Sequence, residues 1–198
     1  MERFFPELPS LNRKEEIIEY LNEFVEYKSD INGIGMLSKI VKGMPFEEAL
    51  DGTLNAKDAE FAKKIGRAQS KTFLLIRESD NKIVGSFNVR WNLTPEMIET
   101  GGYSHIGYGI RPTERNKGYN KINLYLALCE AKELGLERVM LDCEATNIAS
   151  ERTMKALGGS LTKTEIDPID GLLTKVYWFN VNECLNMYKD LYEPQIRR

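Results

Sequence analysis

The sequence predicts an α/β fold in which a mixed central sheet is flanked by helices. Two observations carry this. From residue 71 onward, short runs of β-branched and aromatic residues alternate with longer stretches whose apolar residues recur at helical spacing. The predicted order there is β-β-β-α-β-α-β-β. It contains a hairpin, which needs antiparallel neighbours, and a strand–helix–strand crossover, which implies parallel ones. A chain of 198 residues with 42% apolar content can bury one well-formed core. It reads as one domain, with a helical N-terminal part over residues 1–70, a core over 71–181 and a tail over 182–198.

Residues 12–27 are predicted as an amphipathic helix, because Ile17, Ile18, Leu21, Phe24 and Val25 recur at helical spacing. Residues 28–56 are broken by Gly33, Gly35, Gly43, Pro45 and Gly52 and are read as irregular, with a short helix starting near Pro45. Residues 58–65 form another short helix, with Phe61, Ala62 and Ile65 on its apolar side. Residues 71–77 and 82–92 are two strands joined by the turn residues Ser79, Asp80 and Asn81. A helical turn and loop over 93–102 lead to a third strand over 105–110. A helix over 118–134 ends at Gly135. A strand over 139–143 and a helix over 147–157 follow, the helix ending at Gly158. Residues 160–166 and 172–181 are two further strands, and a polar helical tail starts near Asn182.

Composition narrows the function. No apolar run reaches the length of a membrane span, and Met1 to Pro6 has no long apolar stretch behind its charges. A soluble cytoplasmic protein is expected, with no membrane partner. The cysteines, Cys129, Cys143 and Cys184, are odd in number and lack metal-ligand spacing, so neither a disulfide framework nor a zinc site is expected. One histidine, His105, and the absence of GxSxG argue against a serine hydrolase. A net charge of -3 leaves no electrostatic footprint for nucleic acid. Any anion must be bound locally.

The segment that offers such a place is Gly107 to Asn120. A strand ends near Arg111, a loop carries Arg115 and Lys117, and a helix begins around Gly118. Unpaired amides and a positive dipole end meet there, which suits a diphosphate without a metal. Taken alone, the same residues read equally as two solvated loop charges and a turn glycine. The loop lacks the spacing of a P-loop or of GxGxxG, so a generic nucleotide-phosphate binder ranks last.

A second segment agrees with the first. Glu144-Ala145-Thr146-Asn147-Ile148-Ala149-Ser150 places an N-cap residue, Asn147, at the start of the next helix. Arg115-Asn116-Lys117-Gly118-Tyr119-Asn120 followed by Asn147 and Ser150 resembles the GCN5-related N-acetyltransferase (GNAT) superfamily over roughly residues 71–181. The run Ile106 to Pro112 resembles a bacterial subgroup of predicted acetyltransferases. The resemblance implies a GNAT-like sheet with a V-shaped split between two parallel strands. It implies acetyl-CoA as co-substrate, no metal, and transfer to a small-molecule or peptide amine in a ternary complex. The pantetheine arm would pair with the strand edge near Ile110 and Arg111. The pyrophosphate would lie on the amides of Arg115, Asn116, Lys117, Gly118, Tyr119 and Asn120, with Asn147 and Ser150 on the far wall. The resemblance leaves the acceptor unnamed and is compatible with a homodimer.

The sequence departs from the family in two places. Asn120 stands where Gly or Ala is usual. Met154 stands where many members carry the tyrosine that protonates the leaving thiolate, and methionine has no proton to give. A non-catalytic acyl-CoA-binding module is therefore the alternative. Acyl transfer to an amine also needs a base. Glu144, just past a strand end, and His105, at the start of the cleft strand, are the two candidates. Each reads equally as a solvated carboxylate or a packing histidine. Cys143 is expected to pack as a small hydrophobe. Trp91, Tyr103 and Tyr108 are placed either to line an acceptor pocket or to pack.

Overall fold

The structure, a computed structural model, describes residues 2–99 and 104–197. The expected order of elements is present, and so is the expected split of the sheet between residues 106–110 and 138–144; the departures lie at the two ends. Phe4–Glu7 (β1) is a strand within the part read as helical. It pairs antiparallel with Gln69–Arg77 (β2). Four residues containing Pro6 show no strand period, and the proline is tolerated because β1 is the outer strand. Lys14–Glu26 (α1), a 3-10 segment at Gly35–Lys42, Phe46–Asn55 (α2) and Ala59–Lys64 (α3) follow. The stretch read as irregular is therefore largely helical, with its breaks at turns.

β2 pairs with Lys82–Trp91 (β3), and after a short helix at Pro95–Glu99 (α4), Ile106–Ile110 (β4) completes a four-stranded antiparallel sheet. Leu74, Leu75 and Ile76 are consecutive and fully buried. Leu74 and Ile76 pack with Tyr20, Leu21 and Phe24 of α1. Leu75 packs on the opposite face, in the cluster that holds Phe87, Leu124 and Leu128. An unbroken apolar run thus means a strand covered on both sides, and each such side chain stabilises the fold by about 1.5–3 kcal/mol through burial.

The cover on that second face is Tyr119–Glu133 (α5). Residues 122–128 of it are all buried, so it has no solvent stripe and its amphipathic pattern is weak. Arg138–Glu144 (β5), Ile148–Ala156 (α6), Ser160–Ile166 (β6) and Leu173–Asn180 (β7) follow. Their strands make a second antiparallel sheet in the order β5-β7-β6. The tail is not simply polar. Val181–Tyr192 (α7) buries Val181, Cys184, Leu185 and Tyr192, and beyond it the Arg197 N–H donates to the Phe4 carbonyl at 2.8 Å.

β4 and β5, expected as parallel neighbours, share no ladder. Among the described residues the backbone link between them is at one point, where the His105 N–H donates to the Met140 carbonyl at 2.9 Å. The sheet is divided there into its two antiparallel parts.

The loop between β4 and α5 is clasped from two sides. Glu23 of α1 receives the Arg111 Nε–H, and it accepts the Thr113 N–H and hydroxyl, both at 2.8 Å. Glu114, buried, is ion-paired with Arg77 at 2.6 Å, Lys117 at 2.8 Å and Lys82 at 3.2 Å. Burial alone would raise the Glu114 carboxyl, but Lys117, Arg77 and Lys82 outweigh it and hold the carboxyl at about 2, against an ordinary 4.5. A carboxyl lowered on folding stabilises the fold above the titration of the unfolded chain and loses that contribution as pH falls. Glu114→Gln should destabilise the protein at neutral pH by about 2–4 kcal/mol, since it removes the buried charge that Arg77, Lys82 and Lys117 share, with Arg77 keeping its pair with Asp80. In urea denaturation, the gap to wild type should close as pH falls from 4.5 toward about 2.

Candidate active site

The divided sheet leaves a cleft of about 760 Å³ between its two parts. Its walls follow from strand register. The Arg111 N–H donates to the Val84 carbonyl and the Arg90 N–H to the His105 carbonyl. With Gly85 opposite Ile110 and Phe87 opposite Tyr108, antiparallel alternation turns the N–H and C=O groups of Ile106, Tyr108 and Ile110 away from β3 and toward the cleft. On the other wall, the Ala145 N–H donates to the Leu173 carbonyl and the Val181 N–H to the Glu137 carbonyl. The same alternation points the backbone of Met140, Asp142 and Glu144 at β4. Two open strand edges therefore face each other.

The point where they meet is filled by His105. Besides its backbone bond to Met140, its Nδ1 accepts the Met140 N–H at 3.2 Å. The imidazole is thus a neutral acceptor at Nδ1, and burial followed by the nearby Arg90 charge lowers its pKa below the ordinary 6.5. Its ring lies against Trp178, and it is not among the residues lining the cleft.

The glycines of β4 answer to the protein's own backbone. A Cβ on Gly109 would meet the Asn32 carbonyl at 2.9 Å, and one on Gly33 (φ +73°) would meet the Tyr108 Cα at 2.5 Å. The loop after α1 lies directly on β4, and side chains at these positions would lift it off.

The loop and helix start divide into residues that face the cleft and residues that do not. Arg111 does not. Its guanidinium is buried against Glu19 and Glu23, its N–H is held by Val84 and its carbonyl accepts the Glu114 N–H. This corrects the expectation that it holds cofactor: every polar group it has serves the loop. The Lys117 ammonium is likewise turned to Glu114, and Lys117 is not among the residues lining the cleft. Arg115 lines the cleft, with its Nε–H donating to the Ile110 carbonyl at 3.2 Å and a terminal N–H to the Ser29 hydroxyl at 2.7 Å. Asn116 takes a left-handed φ of 63° and Gly118 one of 83°. A Cβ on Gly118 would meet nothing within 4 Å, so the glycine is needed for its backbone angle. No side chain caps the start of α5. The amides of Gly118, Tyr119 and Asn120 open on the cleft with the dipole behind them. The Asn120 side chain turns toward α6, donating to the Thr153 hydroxyl at 3.3 Å, so its extra bulk ties two helices together.

On the far wall, the Asn147 carboxamide caps α6 by accepting the Ser150 N–H at 3.1 Å. The Ser150 hydroxyl lies 2.6 Å from the Tyr108 phenol, a bond that spans the cleft floor from β4 to α6. Burial raises the Tyr108 phenol well above its ordinary 10, with the Ser150 and Asn120 side chains partly offsetting this. Lys121 and Arg152, both exposed, also line the cleft at the two helix starts. The sequence reading singled out neither of them.

The titratable groups near the fork rank differently from expectation. Glu144 lines the cleft but is exposed, and its carboxylate accepts from the Thr146 hydroxyl at 3.3 Å. Asp142, two residues earlier on the same side of β5, was missed. It also lines the cleft, and burial raises its carboxyl, with Asp167 adding to the rise while Ser104 and Arg90 oppose it. The alternation of residues 139–143 was the signal that could have found it. Cys143 is buried in the main core and its thiol is pushed up to about 11 by burial and by Glu151 and Asp142. It packs there while also lining the cleft. Met154 is fully buried. Trp91 does not line the cleft, and Tyr103 lies outside the described residues. Among the described residues, no group of three or more His, Cys, Asp or Glu side chains is placed to hold a metal ion, and no helix is long and apolar enough to cross a membrane.

A family model described as the acetyltransferase (GNAT) domain matches residues 38–160. Solved structures share the fold. One is a ribosomal-protein-S5-alanine acetyltransferase from Vibrio fischeri, 14% identical, covering 92% of this chain and 96% of that one with a TM-score of 0.64. Another is a mutant spermidine/spermine N-acetyltransferase from Vibrio cholerae, 12% identical, covering 93% and 98% with a TM-score of 0.61. A third is the microcin C7 self-immunity acetyltransferase in complex with acetyl-CoA and AMP, 14% identical, covering 90% and 92% with a TM-score of 0.58. At these identities the likeness is one of fold. No curated protein matches the sequence.

The place of His105 at the fork has a measurable consequence. A histidine whose pKa falls on folding must be charged at a cost at low pH. Its contribution is present above 6.5 and declines as pH falls below it. Chemical denaturation should show wild type losing up to about 1.4 kcal/mol per pH unit below that point. His105→Gln should lack this component while being less stable than wild type near neutrality.

Proposed function

The chain belongs to the acetyltransferase (GNAT) family, and on that premise we propose that it transfers an acetyl group from acetyl-CoA to an amine, the amine attacking directly while both are bound. The observation that supports this most is a continuous track. The open edge of β4 at Tyr108 and Ile110 runs into the uncapped start of α5. One offers strand-like partners to an amide-bearing arm, and the other offers amides and a positive dipole to a diphosphate.

The charges along the cleft fit the same polarity. Arg115, Lys121 and Arg152 stand near the helix starts, with Asp30 and the ion-paired Glu114 among them, whereas Asp142, Glu144, Asp167 and Asp170, with Arg90, line the side formed by β5 and the β6–β7 turn. The basic group suits an anionic cofactor end and the acidic group a cationic amine. In this reading the amides of residues 115–120 hold the diphosphate, and Asn147 and Ser150 stand across from it. The Ile110 N–H, freed by register, stabilises the oxyanion. Asp142 takes the proton from the attacking amine, since its raised carboxyl is closer in affinity to an amine at neutral pH than an ordinary carboxylate is. His105 was the other candidate base, but its Nδ1 lone pair already holds Met140.

Buried Met154 motivates the second reading, a module that binds acyl-CoA without transfer. Calorimetry with acetyl-CoA tests binding, and mass detection of acetylated products across an amine panel tests transfer. Binding with product from any amine is expected. No binding at about millimolar cofactor would sink the proposal, and binding without product would select the non-catalytic module.

Two variants probe the parts separately. Arg115→Ala should raise KM for acetyl-CoA by roughly 5–10-fold with a smaller effect on kcat. Asp142→Asn should lower kcat by about 10²-fold or more while leaving cofactor binding nearly unchanged. It should also remove the rise of rate with pH that a carboxyl base above the usual carboxylate range produces.

A further inference from the structure

The proposed transfer leaves one requirement unmet, a proton for the departing sulfur. Where family members carry a tyrosine on α6, this chain has buried Met154. The fold supplies a different tyrosine from the opposite wall. Tyr108 sits on β4, two residues before Ile110. Its phenol reaches across the floor of the cleft to within 2.6 Å of the Ser150 hydroxyl, in the first turn of α6. Both residues line the cleft.

We infer that Tyr108 is the acid of this enzyme, donating its phenolic proton to the leaving thiolate while Ser150 holds the phenol in place and returns a proton to it. The inference rests on the acetyl-transfer reading above. The new C–N bond forms as the amine attacks the thioester carbonyl, and the C–S bond then breaks with its electron pair going to sulfur. The Tyr108 O–H proton passes to that sulfur to give the free thiol. Ser150 reprotonates the phenolate and is itself reprotonated from cleft water. The proton lost by the amine leaves through the base, so none is gained or lost overall.

Three features of the site favour this arrangement. Tyr108 cannot leave the cleft floor, because its strand is pinned under the loop at Asn32 and Gly33. Its phenol carries its proton at neutral pH, so it faces the cleft as a donor and not as a base, with the 2.6 Å bond to Ser150 fixing its direction. The Ser150 hydroxyl is its hydrogen-bond partner, and the Asn120 side chain, Cys143 and Asp142 lie near it. Ser150 and Cys143 bear the hydroxyl and thiol protons of this group; Cys143 lines the cleft as well but is mostly sunk in the core cluster, and it is Ser150 that bonds the phenol.

The test uses the full-length protein with acetyl-CoA, coenzyme A and the best amine from the panel. Tyr108→Phe should lower kcat by about 10²-fold, with acetyl-CoA affinity by calorimetry within about threefold of wild type. Ser150→Ala should lower kcat by roughly 5–20-fold, less than the tyrosine change. The second readout needs no acceptor. The ultraviolet absorbance of the thiolate reports ionisation of bound coenzyme A, and losing the phenol donor should move that ionisation to higher pH in Tyr108→Phe. A Tyr108→Phe variant with wild-type kcat, or a bound thiol that titrates identically in the two proteins, would overturn the assignment and leave acetyl transfer standing. Wild type that binds acetyl-CoA but acetylates no amine would remove the acid role together with the transfer reading. Loss of affinity and of circular dichroism in Tyr108→Phe would mean that the ring is structural. Ser150→Ala with a normal rate would then complete the refutation.

Discussion

Every backbone N–H and C=O removed from water needs a partner, and this fold leaves a set of them open on purpose. β4 is bonded to β3 on one side only, and β5 to β7 on one side only. What would have been a parallel ladder is cut to a single residue, His105, whose backbone and imidazole both bond to Met140. Beyond that residue the two edges diverge. The cleft, the exposure of the Ile110 amide and the meeting of Tyr108 with Ser150 all follow from that one interrupted pairing.

An open edge is useful only if the loop leaving it is held still. The protein uses ion pairs for this. Glu23 fixes Arg111 and Thr113 to α1, and Glu114 draws Arg77, Lys82 and Lys117 together beneath the loop. The result divides labour among neighbouring basic residues. Arg111 and Lys117 serve the scaffold, whereas Arg115, with Lys121 and Arg152, faces the cleft. Charge alone does not distinguish these roles, because all five residues are equally basic in the sequence.

That limit explains what was legible beforehand. The hairpin, the helix starts at Asn147 and near Gly118, and the stop at Gly135 rest on local chemistry, and local chemistry is written in the sequence. The general course of the cleft was legible only through the family resemblance, because the strand–loop–helix at Gly118 taken alone has another reading. Phe4–Glu7 was not legible, because its pairing with residues 74–77 is long-range and it carries a proline. The docking side of α7 was hidden for the same reason: Val181, Cys184, Leu185 and Tyr192 read as isolated among charges until the sheet covers them. Within the site, Asp142 needed the strand's alternation to be followed one residue further. The bond from Tyr108 to Ser150 joins residues 42 positions apart, a meeting that only the folded topology creates.

The seam at His105 also bears on how the molecule yields to load. Two antiparallel sheets that among the described residues share one backbone bond are joined elsewhere by side chains, among them those of α5, which is buried along residues 122–128. Side-chain packing gives way gradually over fractions of an ångström, whereas a hydrogen-bonded ladder resists until it breaks. The cleft is therefore the soft axis of a stiff body. A shift of one sheet against the other would cost packing on α5 and the His105–Met140 contact while leaving each sheet's own ladders intact.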